Sequence, residues 1–297
     1  MKLLSFGEIL FDIYEEGEFL GGAPLNFAAH AALQGAEVYL LSAVGEDDLG
    51  KKAISMIEDL GVKTKYISML SDKKTGKCIV TLDENAVPSY NILNDTAYDY
   101  IYYPKLPQNE RFDILAFGTL SLRQENNIRT IKKLIKENVC SQIYVDLNIR
   151  RPFYSSESLL LCFENATIVK MSDEELPIVT STIFGKNMNI EDAVRLLSDK
   201  FTKIQLILIT CGEAGSYAYD CIENKLYYSE AETAKVISTV GAGDSFGATF
   251  LVQYLKNKDI SECLSMASKV SAYVVSNKDA IPTGTGDFIK NLQGARI

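Results

Sequence analysis

The sequence has little of what metal sites and histidine chemistry are built from. It holds one histidine, His30, and no C-x-x-C pair. Its six cysteines, at 78, 140, 162, 211, 221 and 263, are scattered. A structural zinc site needs four clustered nitrogen or sulfur ligands, so this pattern argues against one. The spacing also suits reduced thiols in a cytoplasm better than a disulfide framework. A Ser-His-Asp triad would have to use His30, and no G-x-S-x-G turn accompanies it. Basic charge is short as well: 30 Lys and Arg stand against 39 Asp and Glu, a net charge of −9. Nucleic-acid binders carry a basic face, so no nucleic-acid partner is expected, although a small anionic substrate needs only a local site. The N-terminal run reaches Glu8 too soon for the apolar core of a signal peptide, and no run is long enough to span a bilayer. A soluble, cytoplasmic protein without a membrane partner is the expectation. There is no internal repeat and no low-complexity tract.

What is present is an ordinary globular composition, 47% hydrophobic and 23% charged, enough for a sizeable core. The 297 residues fit one large α/β domain with an extension, or two small domains. Apolar runs and their glycine and proline punctuation give a coarse order of elements. Leu3–Phe6 reads as a strand, with Gly7–Tyr14 as its irregular continuation. Gly21-Gly22-Ala23-Pro24 opens a helix that stops at Gly35. A strand at Val38–Ala43 and a helix at Leu49–Leu60 follow. From Lys77 to Tyr103 the period changes to two. Cys78–Leu82, a turn at Asp83-Glu84-Asn85 and Ser89–Leu93 read as antiparallel strands with one open face, a small appendage or lid. A strand–helix rhythm then returns. Strands are expected at Ile114–Phe117, Ile143–Asp146, Thr167–Lys170 and Gln205–Thr210. Helices are expected at Glu125–Glu137, Asp173–Val179 and Ile190–Asp199. A hairpin, Gly215–Tyr219 with Lys225–Tyr228, precedes two final helices, Asp244–Asn257 and Ile260–Ser276. Alternation of this kind implies a mainly parallel sheet covered on both faces.

The chain is organised around Ser238-Thr239-Val240-Gly241-Ala242-Gly243-Asp244-Ser245-Phe246-Gly247. Small residues let the backbone turn sharply, and the helix that follows aims its unpaired N–H groups back at the turn, which suits an anion. Asp244 is itself an anion there. Two readings stay open: a base that takes a proton from a hydroxyl attacking a phosphoryl group, or an aspartate capping its own helix. Gly45-Glu46-Asp47-Asp48-Leu49-Gly50-Lys51-Lys52 nearly fits a phosphate-cradling loop. It lacks the final hydroxyl and sets acids where phosphates would lie, so a capped helix start is the better reading. The glycines of Gly241–Gly247 also resemble a dinucleotide turn. No second strand follows, and Asp244 would repel the pyrophosphate, so that reading is rejected. Asp12, Gly21, Gly22 and Asn26 suit a polyol better than an apolar ligand. Thr210-Cys211-Gly212-Glu213-Ala214-Gly215 lets the backbone approach a nucleotide, or simply opens a hairpin. Asp146-Leu147-Asn148-Ile149-Arg150 also ends a strand, and ligands collect at such ends in open α/β sheets.

In this order the pieces resemble the PfkB-type carbohydrate kinases, the ribokinase–fructokinase group, over essentially the whole chain. The resemblance rests on Gly21-Gly22-x-x-x-Asn26, Val44-Gly45-x-Asp47-x-x-Gly50, Asp146-x-Asn148, Thr210-x-Gly212-x-x-Gly215 and Gly241-Ala242-Gly243-Asp244. Within the group it is most similar to bacterial fructokinases, through Gly21–Ala28, Asp146–Tyr154 and Thr81–Ile92. The resemblance implies a single α/β domain over 1–297, ribokinase-like, with a Rossmann-like mainly parallel sheet between helices. A β-sheet lid, from 11–26 and 76–104, would close over the sugar and could pair two chains as a homodimer. It implies ATP and Mg2+ as cofactors. Asp244 would be the base, and Gly241, Ala242 and Gly243 the anion hole. Asp12, Gly21, Gly22 and Asn26 would hold the sugar, with Arg150 nearby. Lys170 and Glu175 would serve the phosphates, Glu175 reaching the metal through water. Thr210, Gly212, Gly215 and Asn277 would line the ATP site. Three departures stand out. Ser238 replaces an aspartate linked to a monovalent cation, which puts potassium activation in doubt. Ser172 replaces an asparagine in N-x-x-E. The tail Asn277-Lys278-Asp279-Ala280-Ile281-Pro282 lacks the usual glycine before its alanine.

Overall fold

The computed structural model describes residues 1–82 and 88–294. The turn expected at Asp83-Glu84-Asn85 lies outside them. Two sheets organise the chain. Numbered along the sequence, the larger contains β1 (Lys2–Phe6), β4 (Glu37–Gly45), β5 (Lys63–Leu70), β8 (Phe112–Phe117), β9 (Cys140–Asp146), β10 (Ile168–Ser172), β11 (Leu206–Thr210), β12 (Ser216–Asp220) and β13 (Lys225–Ser229). Their spatial order is β13-β12-β11-β10-β9-β8-β1-β4-β5. Pairing is parallel from β11 to β5, and β12 and β13 join antiparallel. The chain winds outward from β1 to β5, then returns to place β8 on the other side of β1. That reversal is the point where an open α/β sheet leaves a crevice at its strand ends.

Strands buried on both faces need apolar residues throughout, which is why Leu206-Ile207-Leu208-Ile209 has no polar alternation. Neighbours in a strand feed opposite cores. Leu3 packs with α1 (Ala23–Ala32), α2 (Asp48–Asp59), α7 (Ala242–Leu255) and α8 (Ile260–Val275). Leu4 packs with α3 (Glu125–Lys136), α4 (Ser156–Asn165), α5 (Leu176–Phe184) and α6 (Ile190–Lys200). Full burial of one such side chain stabilises by about 1.5–3 kcal/mol. A last helix, α9 (Thr285–Gly294), packs on α8.

The smaller sheet has four strands in the order β3-β2-β6-β7: β2 (Leu10–Tyr14), β3 (Gly17–Gly21), β6 (Gly76–Leu82) and β7 (Pro88–Ile92). Here the structure corrects the sequence reading. Residues 10–14 are a regular strand rather than an irregular continuation of β1, because their hydrogen-bond partners belong to the other sheet. β6 and β7 are antiparallel as expected, but β2 pairs with β6 in parallel. The sheet is also narrower than 11–26 and 76–104. Gly21 ends β3 rather than opening the helix, Gly22 is the N-cap of α1, and residues 23–32 pack in the main core. Ala97–Tyr100 is a short 3-10 helix. The helix expected at Asp173–Val179 starts at Leu176 and runs to Phe184, where Gly185 in the left-handed region ends it. β3, β5, α4 and α9 were not anticipated.

Candidate active site

The crevice lies where the topology reverses. Ser5 in β1 and Glu8 just beyond it, Phe117 to Leu120 from the end of β8 onward, and Tyr144, Asp146 and Asn148 at the end of β9 line one cavity with Phe27 and Asp244. α7 aims its N-terminus into it. Gly241 starts that helix at φ 79, and a Cβ there would lie 2.7 Å from the carbonyl oxygen of Ala280. Both facts demand glycine. Asp244 is not the helix cap. Gly241 is, and Asp244 sits three residues further on, 9% exposed, accepting a hydrogen bond from Asn26 Nδ2 at 2.8 Å. Burial pushes its carboxyl up to about 6, with the nearby Asp146 carboxylate adding to the rise. Asn26, Lys170 and Arg150 oppose that shift.

Lys170, buried on β10, forms an ion pair with Asp146 at 2.8 Å. A Cβ on Gly243 would sit 3.3 Å from Lys170 Nζ, which puts the ammonium directly under the turn. Burial pulls the Lys170 pKa down, but the Asp146 carboxylate outweighs it and holds the ammonium charged. Asp12, on β2 opposite Cys78 of β6, faces the site from the smaller sheet, and a Cβ on Gly21 would come within 2.9 Å of its Oδ2. Burial raises the Asp12 pKa, against a hydrogen bond from Cys78 and the charge of Arg150. Gly22 lies against the Glu8 backbone, where a Cβ would be 2.4 Å from the carbonyl oxygen. Arg150 is exposed at the rim, close enough to favour the charged forms of Glu8, Asp12 and Asp244.

Further along the strand ends lie the residues expected for a nucleotide. Thr210 closes β11, and Gly212 follows at φ 53 with open space on its Cβ side. Gly215 has a different reason to be glycine, since a Cβ would strike Ser229 of the adjacent strand at 2.3 Å. Hairpin geometry accounts for Gly215, and Gly212 alone is free for close approach. Asn277 donates to Tyr273 O at 2.7 Å and so caps the end of α8. Glu175 accepts from Ser172 N at 2.8 Å and from Ile149 N, tying β10 to the Asp146–Arg150 loop. Ser172 Oγ accepts in return from Glu175 N at 3.2 Å, so serine performs the capping duty at this position. Among the described residues no group of three or more His, Cys, Asp or Glu side chains could hold a metal.

Asp244, Gly241–Gly243, Asn26, Lys170, Asp12, Gly21, Gly22 and Arg150 therefore converge, while Thr210, Gly212, Gly215 and Asn277 belong to the β11 and α8 side. Glu8 was not among the expected site residues, and Asp146 was expected only as part of a polar strand end where ligands collect, with no role of its own. An acid directly after the first strand, and the first residue of the Asp146–Arg150 run, were the available signals. His30 takes no part in chemistry: it is buried, with Nε2 2.8 Å from Ala280 O, and burial lowers its pKa to about 4.

The near phosphate loop at residues 45–52 has a structural task. Asp47 caps α2 through Gly50 N at 2.9 Å and also accepts from Thr75 N at 3.0 Å and Thr75 Oγ1 at 2.6 Å, just before β6. A Cβ on Gly50 would collide with Gly45 O at 2.0 Å, so no phosphate could enter that turn. Asp47→Ala should cost about 1–2 kcal/mol, from the lost cap and the orphaned Thr75 donors. Urea unfolding measures it, and an unchanged midpoint would show that the turn holds itself.

The profile of the pfkB family carbohydrate kinase matches residues 8–285. An uncharacterized sugar kinase of Pyrococcus horikoshii is 28% identical across 99% of this chain and 96% of its own. Its crystal structure in complex with ATP, 26% identical, matches with a TM-score of 0.79, covering 94% of each chain. The probable fructokinase-3 of Arabidopsis thaliana is 25% identical over 94% of this chain and 87% of its own. A ribokinase of Dictyostelium discoideum is also 25% identical, over 86% of this chain and 83% of its own.

Proposed function

This chain belongs to the pfkB family of carbohydrate kinases, and we propose that it phosphorylates fructose to fructose 6-phosphate with ATP. The observation that carries the reading is the buried Asp244 carboxylate, held by Asn26 in the crevice at the start of α7. In the proposed reaction the sugar hydroxyl attacks the γ-phosphorus and its proton passes to Asp244, while ADP leaves with the electrons of the broken P–O bond. N–H groups of Gly241 and Gly243 meet the charge on the transferring phosphoryl, and the end of the helix adds to them, whereas the Ala242 N–H of the expected anion hole donates to Thr239 O at 3.3 Å. Lys170, fixed by Asp146 beneath that turn, keeps a positive charge under the same point. Asp12, Gly21, Gly22 and Asn26 hold hydroxyls, with Arg150 at the rim. Thr210, Gly212 and Asn277 flank the nucleotide. Mg2+ would neutralise the phosphate oxygens while keeping several waters, as this ion does, and Glu175 would reach it through one of them.

The fructokinase relative favours fructose and the ribokinase relative favours ribose. A coupled ADP-release assay over a panel of sugars and nucleosides decides between them. Absence of turnover on the whole panel would leave a non-catalytic sugar sensor. Potassium should matter little. Ser238 brings a hydroxyl where a carboxylate would be needed, and its Oγ already accepts from Val240 N at 3.2 Å. Hard cations favour charged oxygen ligands, so potassium should change turnover less than about twofold against a bulky organic cation at fixed ionic strength. A several-fold saturable rise would falsify this.

A further inference from the structure

Glu8 lines the cavity that contains Asp244, yet phosphoryl transfer gives it no task. It follows β1 directly, at the reversal of the sheet, and is 4% exposed. Its carboxylate accepts from the backbone N–H of Ala23, but Oε2 has no partner among the described residues. Asn26 repeats the pattern. Its Nδ2 donates to Asp244, and its Oδ1, equally buried, has none. Acceptors buried without donors are costly, so these two oxygens point to a ligand that supplies donors. Among the described residues no cation hydrogen-bonds Glu8 Oε2: Arg150 at the rim and Arg123 act on Glu8 only through their charge. Lys170 is bound to Asp146, and Arg123 to Asp99. The cavity is about 20 Å³, room for roughly one water, so one hydroxyl-sized group is what the spot accommodates.

The charge around the spot narrows the choice of ligand. Glu8, Asp146 and Asp244 all face one small cavity, and each carboxylate disfavours a further anion beside it. Hydroxyls carry donors without charge, whereas a phosphate or carboxylate carries acceptors and charge. We propose that Glu8 is a substrate-contacting residue: Glu8 Oε2 accepts a hydrogen bond from one sugar hydroxyl seated in this cavity, which restricts the site to an uncharged polyol and rejects sugar phosphates and sugar acids. The inference rests on the sugar-kinase reading of the same crevice.

Calorimetric binding without ATP tests it, on wild type and Glu8→Gln, with fructose and ribose, their monodeoxy analogues and their phosphates. Glutamine still accepts from Ala23 but turns a donor toward the hydroxyl. At about pH 8.5, above the value of about 7 to which burial pushes the Glu8 carboxyl, sugar affinity should fall by about 10–100-fold, the loss expected for a hydrogen bond to a charged group. ATP affinity should not change. One deoxy analogue should bind wild type worse than the parent sugar by a similar factor, yet match the parent sugar in the glutamine variant. A purely structural role would lower all ligands together and leave the deoxy profile unchanged, and that outcome overturns the proposal. Should the variant not fold, wild type decides alone, because a sugar phosphate bound as tightly as the free sugar also overturns it. The two readings fail separately. Wild type that binds polyol but transfers no phosphate sinks the catalytic reading and leaves Glu8 in place. Wild type that phosphorylates a sugar phosphate in preference sinks the Glu8 proposal alone. Binding no polyol at all sinks both.

Discussion

Replacing Asp244 by asparagine should lower turnover by at least about 100-fold, the lower end of what general-base catalysis contributes. Asparagine has the same shape and can still meet Asn26, so sugar binding should weaken far less than turnover. The acid limb of the wild-type profile carries the same information. A base must be deprotonated to act, so kcat/KM should fall as pH drops through about 6, where burial and Asp146 place the Asp244 carboxyl. The linkage has a definite sign. A carboxyl whose folded pKa lies above the ordinary 3.8 binds its proton more tightly in the folded state. Its contribution to stability is present below 3.8 and is lost as pH rises through about 6. At pH 7.5 the asparagine variant should therefore melt no lower than wild type, and higher if nothing else changes. Catalysis and stability are opposed at this residue. Near-normal turnover in the variant would reduce Asp244 to a buried helix residue and remove the proposed mechanism.

Local signals in the sequence made part of this legible. β11 stood out because both faces of its strand are covered, and the Gly241–Asp244 turn because glycine and helix start are neighbours in the chain. What depends on distant partners did not. β2 reads like more of β1, since nothing in Leu10–Tyr14 says that its neighbours are Gly17–Gly21 and Gly76–Leu82. β5, at the edge of the large sheet, carries Lys63, Thr64, Lys65 and Ser68, and its half-exposed pattern hides the strand. α9 is mostly polar and buries little beyond Thr285 and Ile289. The same division holds in the site. Asn26, Asp146 and Asp244 belong to local motifs, whereas Glu8 matters because β1 and β9 end at the same crevice. Asp47 shows the converse: a local pattern that resembles a phosphate loop turns out to join α2 to β6 through Thr75.

Lys170→Met should be the most damaging single change to both folding and activity. Its ammonium, buried on β10, neutralises Asp146 at 2.8 Å and eases the charge on Asp244 and Glu175. Methionine fills similar space but leaves three carboxyls around a crevice without their buried cation. Breaking one partner of a buried pair typically costs about 3–5 kcal/mol, and the low end applies here because Asp146 is partly open to solvent. The loss should appear in urea unfolding as a lower midpoint with an unchanged slope. Activity should suffer separately. With Lys170 gone, the Asp244 carboxyl rises further above its ordinary value, so any residual activity should need a higher pH than wild type. The double variant Lys170→Met/Asp146→Leu separates the two effects. Removing both charges relieves the uncompensated carboxylate and should restore most of the stability, since buried pairs are often replaceable by apolar residues of similar volume. Turnover should stay low, because no cation then lies beneath the Gly241–Gly243 turn. If the double variant regains activity along with stability, Lys170 serves only to neutralise Asp146 and has no part in holding the phosphoryl group.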